Sequence, residues 1–276
     1  MELPNREGPP KALTIAGSDS GAGAGIQADL KTFAAFGVYG SSVLTAVTAQ
    51  NTRAVLAVAE VPEEVVALQI DAVLEDIGAD AVKTGMLSSA SITRTVADRL
   101  EAWGVARLVV DPVMVAKGGE PLLQAQAVGA VKEALLPLAF VVTPNIPEAE
   151  ILAGMSIQGQ AQVEEAARAI AALGPRYVII KGGHLSGDAA DTVFDGVGFT
   201  TFSSERIDTR NTHGTGCTFS AAIAALLAWG LPPLEAISEA KLWLTEAIRQ
   251  SYSIGDGHSP VNHFHDPALM NRRWRT

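Results

Sequence analysis

The chain has 276 residues, 48% of them hydrophobic, and a net charge of −10. This length and apolar content suit one large α/β domain or two small ones with an ample core. The acidic balance argues against nucleic acid as a general partner, and the single cysteine excludes an intrachain disulfide or a cysteine-cluster metal site.

In chain order, residues 1–10 read as a disordered leader with charges, prolines and no apolar secretory segment. Residues 11–16 form a short apolar strand, followed by the glycine-rich run 17–25 and a helix over about 26–36. A strand over 41–48 ends in Ala49-Gln50-Asn51-Thr52, and 53–61 reads as a further strand set apart from the main sheet. Pro62 opens a helix with Val66, Ile70, Val73, Leu74 and Ile77 on one face. A regular alternation follows, with strands at 80–84, 107–110, 139–143 and 177–180, and helices at 88–103, 124–135 and 164–173. Residues 192–194 and 199–202 read as a β-hairpin, and helices from Thr215 and Leu234 complete the chain. The pattern predicts an α/β fold, a mostly parallel sheet with helices on both faces, in one domain over 11–265 with a tail at 266–276. The apolar stretch 219–231 is too short to span a bilayer, so a cytoplasmic protein without a membrane partner is expected.

In open α/β sheets, ligands sit outside the carboxyl ends of the strands. The expected strand ends carry Asp19, Gln50, Asp111, Asn145, Glu148, Lys181 and His184. The stretch Asn211-Thr212-His213-Gly214-Thr215-Gly216-Cys217-Thr218 then runs into an apolar helix. It is either an ordinary glycine-rich turn or a helix start whose free N–H groups take an anion. Asp111 is a helix cap or a ligand of Mg²⁺ and phosphate. Asn145 and Glu148 have capping-box spacing, which also suits a metal-phosphate site. Cys217 is a small buried hydrophobe or, at a helix start four residues after His213, a thiol of lowered pKa. Gly118-Gly119 and Gly187 make residues 114–122 and 184–191 candidate lids. The run 17–25 is a flexible turn or a ligand loop, and matches neither the dinucleotide-binding nor the P-loop fingerprint.

Together these motifs resemble the ribokinase-like superfamily and, within it, the bifunctional hydroxymethylpyrimidine/phosphomethylpyrimidine kinases of thiamine biosynthesis. The carriers are Ala-Leu-Thr-Ile-Ala-Gly-Ser-Asp-Ser (12–20), Ala-Gly-Ile-Gln-Ala-Asp-Leu-Lys-Thr (24–32), Thr-Ala-Gln-Asn-Thr (48–52) and Lys-Thr-Gly-Met-Leu (83–87). Further carriers are Asp-Pro-Val-Met (111–114), Thr-Pro-Asn-Ile-Pro-Glu-Ala-Glu (143–150), Lys-Gly-Gly-His (181–184) and the stretch 211–218. The resemblance implies a three-layer αβα sandwich and an ATP- and Mg²⁺-dependent kinase of a small aminopyrimidine alcohol and its phosphate. A homodimer is expected, and a monovalent cation is left open. Gly214, Thr215, Gly216 and Cys217 would form the anion hole, with Cys217 where most of the superfamily has a catalytic aspartate. Asn145 and Glu148 would organise Mg²⁺ and phosphates, with Asp111, Lys181 and His213 beside the metal and nucleotide. Gln50 would bind the pyrimidine ring, with Gly17, Ala24 and Asp29 nearby. Ser20-Gly21-Ala22-Gly23 departs from the usual glycine pairing of that loop. A pyridoxal-type kinase of the same fold is the alternative, because its substrate is also a small heteroaromatic alcohol.

Overall fold

A computed structural model describes residues 8–114, 125–182 and 189–265. Most of the expected leader, the tail 266–276, His184 and most of both candidate lids lie outside the described residues.

The elements are β1 (Lys11–Asp19), α1 (Gly25–Ala35), β2 (Tyr39–Gln50), β3 (Val55–Glu60), α2 (Glu63–Ala72), β4 (Ala81–Thr84), α3 (Ala90–Ala102) and β5 (Leu108–Val110). They continue with α4 (Ala125–Ala130), β6 (Val141–Val142), α5 (Ile146–Ala153), α6 (Gln160–Ala171), β7 (Tyr177–Ile180), β8 (Ala189–Phe194), β9 (Phe199–Ser204), α7 (Thr215–Ala228) and α8 (Pro233–Arg249). Nine strands form one sheet in the order β3-β2-β1-β4-β5-β6-β7-β8-β9. The strands from β2 to β7 run parallel. Strand β3 on one edge and the β8–β9 hairpin on the other are antiparallel. The strand expected apart from the main sheet is therefore its edge, pairing Ala46 with Glu60 through Gln50 with Val55.

Alternation along the buried strands builds the three layers. Leu13, Ile15, Val82, Leu108, Val110, Val142, Val178 and Ile180 meet one apolar layer with α2 to α6. Ala12, Ala81, Val109, Val141 and Ile179 meet α1, α7 and α8 on the other face. Side chains alternate faces because the pleat has period two. Two of the expected continuous helices, α2 and α4, instead finish as π turns at Val73–Ile77 and Val131–Leu135.

Helix α7 is buried on every side from Thr218 to Ala228. Such an all-round apolar helix belongs inside a core rather than on its surface. It packs against α1, α8 and strands β1, β4 and β5. Its start is therefore immobilised over the carboxyl ends of the central strands, where the parallel sheet leaves its crevice.

Candidate active site

A cavity of about 930 Å³ opens along those strand ends. It is lined by Gly17, Ala24, Gln50, Asp111, Asn145, Glu148, Lys181, His213 and Gly214 through Cys217, among others. The expected site residues thus converge, with one exception. Asp29 does not line the cavity: it lies fully buried on α1, where its carboxylate takes Lys83 Nζ at 2.9 and 3.1 Å and Thr14 Oγ1 at 2.5 Å. Lys83 is equally buried. Burial alone would lower its pKa, but the Asp29 carboxylate holds the ammonium well above the ordinary lysine range. Asp29 is satisfied by the core and has no face left for a substrate.

One end of the cavity is organised by Asp19. Its carboxylate accepts the backbone N–H groups of Gly21, Gly23 and Ala24 at 2.8, 3.0 and 2.9 Å, and His213 Nε2 lies 2.9 Å from Oδ2. Burial pushes this carboxyl upward, yet the His213 and backbone hydrogen bonds prevail and hold it below its usual range. Ala22, within the same turn, adopts φ 60°, a left-handed conformation that costs a non-glycine residue roughly 1 kcal/mol. Its N–H still reaches Asp19 O at 2.9 Å, so the departure from the usual glycines keeps the turn.

The Gln50 amide lies 3.2 Å from Thr48 Oγ1 and 3.4 Å from His213 Nε2. Thr48 gives its proton to Ser18 O at 2.9 Å, and His213 Nε2 must turn its proton to the carboxylate of Asp19. Turned with its NH₂ toward Thr48 Oγ1, the amide can donate there, and its oxygen is left without a proton from His213. His213, expected beside the nucleotide, stands instead against Asp19 and Gln50. Gly23 makes room for it, since a Cβ there would meet His213 Cδ2 at 2.3 Å.

The other end carries charge. Asp111 ends β5 and is 2% exposed. It takes Lys181 Nζ at 3.2 Å and Thr143 Oγ1 at 3.3 Å on Oδ1, and Ser220 Oγ at 3.3 Å on Oδ2. Burial would lower the Lys181 pKa, but Asp111 and Glu148 together raise it. Asn145 caps α5 by accepting Glu148 N–H at 2.9 Å, and Glu148 Oε2 accepts Asn145 N–H at 2.8 Å. The capping box is therefore real, and both its members also line the cavity. Burial, reinforced by Asp111 and opposed by Lys181, pushes the Glu148 carboxyl up to about 7.

Helix α7 starts at Thr215 without a side-chain cap, after Gly214 at φ 73°. Gly214 through Cys217 line the cavity, and a Cβ on Gly216 would stand 3.4 Å from Lys181 Nζ, so the helix start lies beside that ammonium. Cys217 also meets the backbone N–H of Gly25 at the start of α1. The lowered thiol expected there is overturned: burial pushes Cys217 up to about 11, and Lys83 opposes the shift only in part. His213, engaged with Asp19, is not the group that acts on it.

Asp191 and Lys241, which also line the cavity, carried no expectation from sequence. Lys241 could have been noticed as a charge among Ile237, Ala240 and Leu244 on the buried face of α8. Among the described residues, no three His, Cys, Asp or Glu side chains cluster as a metal site. The carboxylates of Asp111 and Glu148 form an oxygen donor set that suits Mg²⁺ sharing its shell with phosphates and water.

This sheet, with an uncapped glycine-lined helix start facing a lysine between two carboxylates, is the architecture of ribokinase-like small-molecule kinases. The chain belongs to the phosphomethylpyrimidine kinase family, whose model matches residues 19–262. It is 57% identical over 252 residues to the thiamine biosynthesis bifunctional protein ThiED of Geobacter sulfurreducens, covering 91% of this chain and 51% of that protein. The chain thus spans about half the length of that relative. It is 55% identical to the hydroxymethylpyrimidine/phosphomethylpyrimidine kinase of Rhizobium meliloti, covering 92% and 97% of the two chains. Among solved structures, the ADP complex of Bacillus subtilis pyridoxal kinase superposes with a TM-score of 0.86 at 43% identity, covering 92% and 97%.

Two outcomes follow from the electrostatics. Lys83→Met leaves a buried carboxylate unpaired and should destabilise the protein by about 3–5 kcal/mol in urea unfolding, whereas Asp29→Leu/Lys83→Met should recover most of that loss. A single deficit unchanged in the double variant would mean that the pair is not the source. Cys217 is the one cysteine, so its reaction with iodoacetamide reports its ionisation directly. The rate should climb about tenfold per pH unit from neutrality and level only near pH 11, while a plateau near pH 8 would contradict the buried thiol.

Proposed function

We propose that the protein is an ATP-dependent kinase that phosphorylates 4-amino-5-hydroxymethyl-2-methylpyrimidine and then its monophosphate, giving the diphosphate used in thiamine biosynthesis. The observation that carries the reading is one cavity lined by Gln50 and His213 together with Lys181, Gly214, Gly216 and Cys217. A carboxamide presents a donor and an acceptor side by side, which complements the amino group and ring nitrogen of an aminopyrimidine. Gly17 and Ala24 form the adjoining wall, and a Cβ on Gly17 would meet Met86 Cε at 2.4 Å.

Phosphoryl transfer demands positioning and charge neutralisation more than covalent work. The first N–H groups of α7 and the Lys181 ammonium supply positive charge at the transferred group. Asn145 keeps Glu148 turned into the site through the capping box. Glu148 and Asp111 would hold Mg²⁺, which when bound would supply positive charge against the phosphates. A divalent cation there favours the ionised form of Glu148, whose carboxyl burial holds near 7.

The two steps differ in their nucleophile. The alcohol must lose its proton, and Cys217, which lines the cavity, is read as its acceptor. With a thiol near 11, only about one molecule in 10⁴ carries the thiolate at pH 7. The monophosphate already carries an oxyanion above pH ~6 and needs no base.

A pyridoxal kinase is the second reading, favoured by the likeness to the Bacillus subtilis enzyme. Two further features complete the proposal. Leu56 and Val58 are exposed on one side of the edge strand β3, which suits pairing with a second copy. The single cysteine suits a reducing cytoplasm, and no helix among the described residues is long and apolar enough to cross a membrane.

The test feeds each substrate separately with saturating Mg-ATP and follows mono- and diphosphate. The alcohol step should accelerate with pH above neutrality and fall roughly 10²–10⁴-fold in Cys217→Ala, while the monophosphate step stays nearly flat in both respects. Equal loss in both steps would restrict Cys217 to packing within the anion hole, and turnover of neither substrate would sink the proposal. In the same assay Gln50→Leu should weaken the pyrimidine by about 1–3 kcal/mol and pyridoxal less. Equal losses would remove Gln50 as the reader of the ring.

A further inference from the structure

Lys181 stands one residue beyond β7, where the ladder ends, yet its side chain has to be aimed within fractions of an ångström. Its own N–H donates to Pro144 O at 2.9 Å, tying it to the residue before the capping box. The β7–β8 ladder pairs Ile180 with Thr192, and that register continued puts Gly182 opposite Ala190. A Cβ on Gly182 would lie 1.8 Å from Ala190 O, so the two backbones touch there. The Gly182 N–H donates to Asp191 Oδ1 at 3.1 Å, so a side-chain carboxylate binds the backbone just past the ladder. The second oxygen of Asp191 takes Lys241 Nζ from α8 at 2.8 Å. Asp191 is 4% exposed and Lys241 8%.

A buried ion pair is a weak source of stability, because desolvation offsets most of its attraction. Its geometric effect is stronger. One carboxylate joins the residue after Lys181, strand β8 and the long helix α8, three elements that meet at the cavity wall.

We propose that Asp191 is a positioning residue for phosphoryl transfer: its carboxylate fixes the backbone at Gly182 and so aims Lys181, and Lys241 balances its buried charge. The inference rests on the reading of Lys181 as the cation at the transferred phosphoryl group. An ammonium needed mainly in the transition state acts on kcat, whereas a group that simply binds nucleotide acts on KM for ATP.

The experiment compares two double variants that both remove the buried charges. Asp191→Asn/Lys241→Met keeps an oxygen for the Gly182 N–H; Asp191→Leu/Lys241→Met fills the space without an acceptor. The leucine pair should lose roughly 10- to 100-fold in kcat for both steps, with KM for Mg-ATP and for the pyrimidine little changed. The asparagine pair should recover kcat to within about threefold of the unsubstituted enzyme. Thermal unfolding confirms that both are folded. Should the leucine pair not fold, Asp191→Ser/Lys241→Met, too short to reach the Gly182 N–H, takes its place with the same expected loss. Equal kcat in the acceptor-bearing and acceptor-free pairs would overturn the proposal, as would a loss expressed only in KM for Mg-ATP. Lys181→Ala serves as the control: unchanged kcat there would refute the role of Lys181 itself, whatever the double variants do.

Discussion

The contact on which the site depends is between two stretches of bare backbone. A Cβ on Gly214 would stand 1.8 Å from Gly23 O, and one on Gly25 would stand 2.3 Å from Gly17 O. No side chain fits at either position, and both glycines have positive φ, so the chain conformation and the close approach demand the same residue. The loop that carries Asp19 is thereby pressed against the start of α7. Because α7 is enclosed by apolar neighbours on every side, that start cannot retreat. The distance from the ring-reading amide of Gln50 to the anion-binding amides is set by this packing rather than by either loop alone.

Burial also decides the electrostatics. A helix start stabilises a nearby anion by about 0.3–1 kcal/mol, and up to ~2 kcal/mol in a partly buried geometry. Burying an ionisable group can shift its pKa by several units, each unit being about 1.4 kcal/mol. At Cys217 the larger effect prevails, and the thiol rises to about 11 despite two helix starts and Lys83 beside it. At Lys181 and Lys83 the outcome is opposite, because each ammonium touches a carboxylate directly and stays charged. The acidic surface of the chain is consistent with anion binding for the same reason: the fixed positive groups are few, buried and local.

Several chemically ambiguous motifs turn out to serve two purposes. Asn145 and Glu148 form a true capping box, and the same hydrogen bonds hold both side chains at the cavity. The turn before α7 is an ordinary left-handed glycine turn and also leaves the start of the helix without a side-chain cap. Capping and ligand binding need the same thing at a helix start, a polar group held against an orphan donor. The glycine-rich loop after β1 is ordered around the carboxylate of Asp19 in the same economical way.

By itself the sequence determined the alternation of strands and helices, the parallel centre of the sheet and the strand-end positions of Gln50, Asp111, Asn145, Glu148 and Lys181. These follow from local periodicity and turn chemistry, which act over a few residues. Tertiary structure alone decided which of those side chains face the cavity. Asp29 shares its helix with cavity-side residues, yet Lys83, 54 positions away, draws it into the core. His213 is claimed by Asp19 across 194 positions, and Lys241 by Asp191 across 50. Whether a charge is paired, buried or presented depends on neighbours that only the packed sheet brings within a few ångströms. The pKa of Cys217 belongs to the same class, because its desolvation comes from neighbours that the fold packs around it and has no signature in the residues adjacent along the chain.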